Sequence, residues 1–194
     1  MYATKKILTG LGVVLICLGF LAGCTPQNKK TAAKPALPAK QEQSTPTKNG
    51  KPIITKEQII YRMPKDGSQF LLPEKVNIKT TAGSEALDTL KTLVGTKPTA
   101  RLQAANAFPE KTRVLSVDVK DGIARANFSK EILQKGRGDY AQVMMIYSIV
   151  NTLTEMPSIK KVQILAEGKK IVVLGQMDLE DPLPRNTSFL RKAK

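Results

Sequence analysis

The sequence predicts an α+β fold, a mostly antiparallel sheet with two helices packed on it, in the order β-β-α-β-β-α-β-β. Short segments in which apolar residues alternate with polar ones predict the strands, and two longer segments with apolar residues at helical spacing predict the helices. From Ile53 onward the chain has about 140 residues, enough to bury roughly two-thirds of their unfolded surface. Residues 53–194 are therefore predicted to form a single domain.

The first two strands are predicted over residues 57–63 and 69–80. Ile59, Tyr61 and Met63 alternate with polar residues in the first strand, and Pro73 interrupts the second. Between them lies the sequence Lys-Asp-Gly-Ser at residues 65–68, which is typical of a turn. This segment therefore predicts a hairpin.

The first helix is predicted to begin after Ser84 and to end at Gly95. Ser84 is a suitable N-cap, Glu85 and Asp88 place negative charge in the first turn, and glycine commonly ends helices. Apolar residues at helical spacing form one stripe, which predicts an amphipathic helix lying on a sheet. The stripe contains Ala86, Leu87, Leu90, Leu93 and Val94.

The clearest local signal is a β-hairpin over residues 114–128. Asp121-Gly122 separates two alternating segments, and this dipeptide favours the two-residue turn that matches the twist of paired strands. The apolar residues of each strand share one face, so the hairpin is predicted to have a buried side. They are Leu115, Val117 and Val119 on the first strand and Ala124, Ala126 and Phe128 on the second.

The second helix is predicted from about Tyr140 to Met156, just before Pro157. Because it is apolar over most of its surface, it is expected to be the central helix. Its predicted core stripe contains Val143, Ile146, Tyr147, Val150 and Leu153, widened by Met144, Met145 and Ile149. A last hairpin is predicted over residues 161–174, with a turn at residues 167–168, and the tail from Gly175 on is predicted to be irregular.

Residues 1–23 are predicted to be a lipoprotein signal peptide. Two lysines precede an apolar stretch, Ile7 to Ala22, that is shorter than the roughly 20 residues a membrane-spanning helix needs. The sequence Leu-Ala-Gly-Cys at residues 21–24 resembles the bacterial lipobox, which implies that Cys24 takes the lipid. The alternatives are a short transmembrane anchor or an ordinary secretory peptide. Cys17 is a poorer candidate because no small residue precedes it.

Residues 24–52 are predicted to be the lipidated cysteine followed by a disordered tether rich in lysine and proline. Leu37 is the only large apolar residue in 25–52, so this segment cannot form a core. The formal net charge is +15, of which +5 falls in residues 25–52 and +8 beyond. Such charge favours anionic lipid headgroups, acidic wall polymers or acidic partners, and export argues against nucleic acid.

The composition excludes several kinds of active site. The chain has no histidine, and Cys24 is the only cysteine left after residue 23. A Ser-His-Asp triad, a Cys-His pair, a disulfide and a histidine-ligated metal centre are therefore ruled out. The sequence predicts a protein that is not an enzyme and that carries no cofactor and no metal ion.

The remaining polar motifs have simple structural explanations. Asp178, Glu180 and Asp181 could bind a hard cation, but no glycine-containing loop of metal-binding spacing surrounds them. Ser129-Lys130 could pair a nucleophile with a base, but adjacent side chains diverge, so Ser129 is better read as a helix cap. Thr81 to Ser84 is read as a helix start rather than an anion site. Arg137-Gly138-Asp139 is read as a loop entering the second helix.

Several segments together resemble the GerMN domain of the sporulation and spore germination GerM family. They include Val114-Leu115-Ser116-Val117, Asn127-Phe128-Ser129, Leu153-Thr154-Glu155-Met156-Pro157, Val162-Gln163-Ile164-Leu165 and Asp181-Pro182-Leu183 with Arg185. The resemblance spans roughly residues 57–187. It implies an exported or lipid-anchored, noncatalytic part of the assembly that joins mother cell and forespore, built from modules that oligomerise. GerM carries two such domains, whereas this chain carries one.

Two functional hypotheses follow. The first is a lipid-anchored module on the extracytoplasmic face of the membrane, which assembles with itself or with envelope proteins during sporulation or germination. The alternative is an envelope module that binds an anionic wall polymer or peptidoglycan through its basic surface.

Overall fold

The computed structural model describes residues 47–48, 50–134 and 138–190. The strands are Thr47–Lys48 (β1), Lys51–Pro52 (β2), Ile54–Pro64 (β3), Leu72–Thr80 (β4), Ala104–Ala105 (β5), Val114–Lys120 (β6), Ile123–Phe128 (β7), Lys161–Ala166 (β8), Lys169–Lys170 (β9), Val173–Leu174 (β10), Met177–Asp178 (β11) and Leu183–Pro184 (β12). The α-helices are Glu85–Gly95 (α1) and Asp139–Leu153 (α2), and 3₁₀ turns cover Lys130–Leu133 and Thr187–Phe189. Neither α-helix is long and apolar enough to cross a membrane. The α+β fold class is confirmed, although the strands divide among several sheets rather than joining in one.

The described residues include part of the predicted tether. β1 and β2 pair as a small antiparallel hairpin. The Lys48 ammonium lies 3.2 Å from the Asp88 carboxylate on α1, and Lys51 donates to the Ala82 carbonyl oxygen. The described structure therefore includes strands that lie before the predicted boundary at residue 53. The signal peptide, Cys24 and residues 25–46 lie outside the described residues and stay predictions.

The first sheet has three strands in the order β4-β3-β5. β3 and β4 pair as the predicted hairpin, but the connection between them is longer than the turn predicted at residues 65–68. The β3–β4 pairing ends at Arg62 and Leu72, because the last two residues of β3 pair with β5 instead. The connection is therefore a wider loop, in which Asp66 accepts a hydrogen bond from the Ser68 amide.

The second sheet has the order β12-β8-β7-β6, with β9 also paired to β8. The predicted hairpin of β6 and β7 is confirmed, and Asp121 and Gly122 both adopt positive φ, at 51° and 77°. Glycine reaches this conformation without strain, which explains why an Asp-Gly dipeptide occupies the turn. β7 and β8 run parallel. Parallel strands need a long crossover connection, and here that connection contains α2.

Both helices contribute to one apolar core with the second sheet. α2 is the central helix, as predicted, with ten of its fifteen residues buried. Ser84 occupies the N-cap of α1, but its side chain makes no capping hydrogen bond and instead pairs with the Thr81 hydroxyl. The completely buried side chains of α2 include Ile146, Ile149, Val150 and Leu153.

Residues 175–190 contain two short strands and a 3₁₀ turn, so for them the prediction of an irregular tail is wrong. The predicted last strand breaks into β9 and β10, and β10 then pairs with β11. β12 returns to the second sheet and pairs with β8. Gly175 has φ of 60° and lies so close to α2 that an added Cβ would collide with the Gln142 side chain. Short strands of two residues carry little sequence signal, which explains the error.

Candidate interaction surface

The polar motifs found in the sequence serve the fold. Asp178 accepts a hydrogen bond from the Glu180 amide at 2.8 Å, which forms a local turn. Among the described residues, no three Asp, Glu, His or Cys side chains converge in a group that could hold a metal ion. Gly138 is the N-cap of α2 and Asp139 lies in its first turn. Arg137, the other member of that motif, lies outside the described residues.

Ser129 and Lys130 do not form a catalytic pair. Ser129 is fully buried, and its hydroxyl accepts a hydrogen bond from the Arg113 amide at 3.0 Å. Lys130 is exposed, and its amide donates to the Glu167 carboxylate. Ser129 stands at the N-cap of a 3₁₀ turn but makes no side-chain cap. Its hydroxyl therefore joins the ends of the β6–β7 hairpin.

A buried ion pair ties the first sheet to the end of α1. Arg62 donates from Nε to a Glu74 carboxylate oxygen at 2.8 Å, and the two side chains are only 2% and 7% exposed. The remaining nitrogens of Arg62 donate to the Leu93 and Thr96 carbonyl oxygens and to the Thr96 hydroxyl. Thr99 donates its amide to the other Glu74 oxygen. Each charged group thus has several partners, as burial of charge requires.

The same pair shifts the pKa of Glu74. Burial opposes ionisation of this carboxyl, but the hydrogen bonds from Arg62 and Thr99 outweigh burial and lower the pKa of Glu74 below its ordinary value. Glu74 therefore stays ionised at neutral pH. No sequence pattern indicated this pair, because Arg62 and Glu74 lie on strands where charged residues are usually exposed.

A second cluster fixes the C-terminal segment to the rest of the fold. Arg185 donates to the Asn151 carbonyl oxygen, the Tyr61 hydroxyl and the Glu155 carboxylate, and its guanidinium lies 5.5 Å from the centre of the Tyr61 ring. Tyr61 also donates to Glu155 at 2.7 Å. Burial, together with Glu155, raises the pKa of Tyr61. Arg185 therefore holds the C-terminal segment against α2 and the first sheet.

The solvent side of the second sheet carries an open groove of about 420 Å³. It combines three cations with two carboxylates, so it can contact polar or charged groups but is not dominated by one sign. Gln163, on its floor, is buried and donates to the Leu179 carbonyl oxygen. The lining residues are Asp118, Lys120, Asp121, Ile123, Arg125, Gln163, Lys170 and Pro182.

The free edge of the same sheet exposes two large apolar side chains. β6 is the edge strand, and six of its seven residues are partly or fully exposed to solvent. Leu115 and Val119 are each 41% exposed. At the beginning of β6, a second groove of about 330 Å³ lies between this strand and α1, with Val94 and Val114 as its apolar lining.

The predicted buried side of the β6–β7 hairpin is only half correct. Ala124, Ala126 and Phe128 are fully buried, but Leu115 and Val119 on β6 are exposed. A register shift between Val114 and Ser116 takes Leu115 out of the regular alternation. Val119 lies opposite Ala124, but β6 is at the edge of the sheet and the helices do not cover it there. The alternating pattern identified the apolar residues but not their position at an edge.

Comparisons with known proteins agree with this fold. The model of the family described as "Germane: Sporulation and spore germination" matches residues 59–172. No curated protein matches the chain. The first GerMN domain of the sporulation protein GerM from Bacillus subtilis is similar to it, with 27% identity, a TM-score of 0.56, 68% of this chain covered and 98% of that domain.

Two further structures are similar. The tandem GerMN domains of the same GerM protein have 26% identity and a TM-score of 0.56, with 68% of this chain covered. The matched region is 46% of the tandem chain, about half its length. A candidate lipoprotein from Clostridium perfringens has 24% identity and a TM-score of 0.50, with 70% of this chain and 89% of that chain covered, which is a likeness of fold.

Proposed function

Because the chain belongs to the Germane family of sporulation and spore germination domains, we propose that it is a lipid-anchored, noncatalytic interaction module of the cell envelope that acts in sporulation or germination. The observation that carries this proposal is the family match over residues 59–172, which includes both α-helices and most of both main sheets. The similarity to domains of the sporulation protein GerM supports it.

The sequence supports the membrane attachment. The lipobox-like sequence that ends at Cys24 predicts a diacylglyceryl anchor on the outer face of the cell membrane. The described part of the chain begins at Thr47, after the lysine-rich and proline-rich segment. The module would therefore be attached to the membrane through its N-terminal segment, where it can contact envelope proteins or other copies of itself.

The noncatalytic role is supported by how the buried polar groups are used. The Arg62–Glu74 pair, the cluster of Tyr61 with Arg185 and the Ser129 hydroxyl each have partners within the fold. Such groups stabilise the domain rather than stand ready for a substrate. The exposed features include a mixed-charge groove and a sheet edge with two exposed apolar side chains, both suited to binding.

Deletion of the chromosomal gene tests the sporulation role. We expect a deletion strain to give fewer heat-resistant spores, or spores that germinate more slowly, than the parent strain, because an assembly would lack one component. Heat-resistant counts and the fall in optical density during germination measure these effects. Restoration by the unaltered gene at a second locus is the control. Unchanged spore yield together with normal germination would contradict the proposal.

A second candidate function is binding of an anionic wall polymer. The groove on the second sheet favours it, because Lys120, Arg125 and Lys170 line the groove and cations of this kind attract phosphate or carboxylate groups. Asp118 and Asp121 line the same groove and oppose such binding. This function would use the same membrane attachment.

Sedimentation with purified wall sacculi tests this second function. We expect the chain without residues 1–23 and with Cys24→Ser to pellet with sacculi at low salt, and less so as ionic strength screens the charges. Lys120→Gln with Lys170→Gln should reduce pelleting, whereas Lys75→Gln, an exposed lysine of the first sheet, should not. Equal loss in all variants would show that overall charge, not the groove, is responsible.

A further inference from the structure

We propose that the groove on the second sheet binds a zwitterionic peptide, one that carries an ammonium group close to a carboxylate, as the stem peptides of peptidoglycan do. This inference rests on the second proposed function, wall binding, and names the ligand of that groove. The groove has a volume of about 420 Å³, within the roughly 300–1,000 Å³ of clefts that hold small ligands. Its three cations and two carboxylates match a ligand that carries charges of both signs.

One row of side chains crosses the groove from strand to strand. Asp118 on β6 lies opposite Arg125 on β7, and Arg125 lies opposite Gln163 on β8. All three line the groove. Because adjacent strands are roughly 5 Å apart, the row presents a carboxylate, a guanidinium and an amide over about 10 Å. A short peptide can supply an ammonium, a carboxylate and a peptide N–H at that spacing, one for each member of the row.

The charges of the groove are not neutralised within the described part of the chain. Asp118 and Arg125 lie directly opposite each other, a placement that favours attraction between opposite charges, yet they form no ion pair. By contrast, Glu57 and Glu74 of the β3–β4 ladder each have a cation partner. The groove residues without an ion pair to any described residue are Asp118, Lys120, Asp121, Arg125 and Lys170.

Gln163 supplies a hydrogen-bond acceptor at the end of the row. The side chain is only 8% exposed, and its Nε2 donates to the Leu179 carbonyl oxygen at 3.0 Å. This bond fixes the orientation of the amide and leaves Oε1 without a donor among the described residues. Polar atoms of side chains this buried normally have a partner. An N–H of a bound peptide would provide one.

A stem peptide fits this arrangement better than a phosphate polymer does. Phosphates would be attracted by the three cations, but they would be repelled by Asp118 and Asp121 and would offer Gln163 Oε1 no donor. A stem peptide has amide N–H groups and carboxylates and, where it is not crosslinked, a free ammonium. Both signs of charge in the groove then contribute charge-assisted hydrogen bonds to binding.

Removal of the two carboxylates tests the inference by the sign of its effect. We expect the full-length chain in detergent to bind sacculi from which acid has removed phosphate polymers, and Asp118→Asn with Asp121→Asn to weaken this binding about tenfold. An anionic ligand would instead bind this variant more tightly. Asparagine suits position 121, whose φ is 51°, because Asn-Gly favours the same turn. Glu110→Gln, an exposed carboxylate outside the groove, is the matched control and should bind like the parent.

Acetylation of the free amino groups in the same sacculi is the complementary test. It removes ammonium groups and makes the wall more anionic, so we expect the parent chain to bind about tenfold more weakly. Tighter or unchanged binding, either to acetylated sacculi or by the Asp118→Asn, Asp121→Asn variant, would overturn the zwitterionic ligand. Lys120→Gln with Lys170→Gln shows separately whether the groove binds the wall, so wall binding can stand if the zwitterionic ligand fails.

Discussion

Replacement of Arg62 by alanine is expected to lower the free energy of unfolding by about 3–5 kcal/mol, because it leaves a buried carboxylate without its cation. Glu74 would keep only the Thr99 amide, and the Leu93 and Thr96 carbonyl oxygens at the end of α1 would lose their donor. These carbonyls have no further amides of the helix to bind, so the loss falls on the contact between α1 and the first sheet. The midpoint of denaturant unfolding, compared with the parent chain, measures the effect.

Two controls separate the buried charge from other effects. Arg62→Met with Glu74→Met removes both charges, and it should cost less than Arg62→Ala alone, since no charge is left buried. Lys75→Ala removes one partner of the exposed Lys75–Glu57 pair and should cost at most about 1 kcal/mol. If Arg62→Ala costs no more than Lys75→Ala, the buried pair does not stabilise the fold in the way described.

The same ion pair makes stability depend on pH. The pKa of Glu74 is lower in the folded chain than in the unfolded chain, so the unfolded chain binds the proton first as pH falls. The contribution of Glu74 is therefore fully present above its ordinary pKa and is lost as pH falls through the lowered value. The Glu74→Met, Arg62→Met variant should lose less stability between neutral and acidic pH than the parent chain.

Local patterns predicted the parts of the fold that depend on local chemistry. The Asp121-Gly122 turn, the apolar stripe of α1 and the apolar surface of α2 each depend on residues close in sequence, and the structure contains all three. The division into separate sheets was not predictable, because it depends on how distant strands pair. β3, for example, ends against β5, so its connection to β4 is longer than the predicted turn.

The exposure of β6 could likewise not be predicted from residues close in sequence. The alternation of Leu115, Val117 and Val119 identified an apolar strand, and the natural inference was burial. Whether such a strand lies inside a sheet or at its edge depends on the order β12-β8-β7-β6, which involves residues far along the chain. Burial of Arg62 and Glu74 likewise depends on the packing of α1 over the first sheet. Surfaces and buried charges are therefore the features that one-dimensional patterns predict least well.

Replacement of Cys24 by serine is expected to abolish incorporation of a fatty-acid analogue into the protein. The sulfur of Cys24 is the predicted attachment point of the diacylglyceryl group, and the serine hydroxyl does not replace it in a lipobox-like sequence. Each buried CH₂ of an acyl chain contributes about 0.8 kcal/mol, so two chains anchor a protein stably, whereas one gives only marginal binding. Loss of the lipid therefore removes the main attachment of the module to the membrane.

Labelling is a better measure than membrane fractionation for this variant. A precursor that keeps the apolar stretch Ile7 to Ala22 could remain in the membrane without lipid, and the six lysines of residues 25–52 would add salt-sensitive attraction to anionic lipids. Cys17→Ser is the matched control, because it changes the other cysteine and should keep full labelling. Continued labelling of Cys24→Ser would show that the lipid is elsewhere or that the signal was misread. Loss of labelling in Cys24→Ser alone would place the anchor at Cys24, ahead of the described residues, which begin at Thr47.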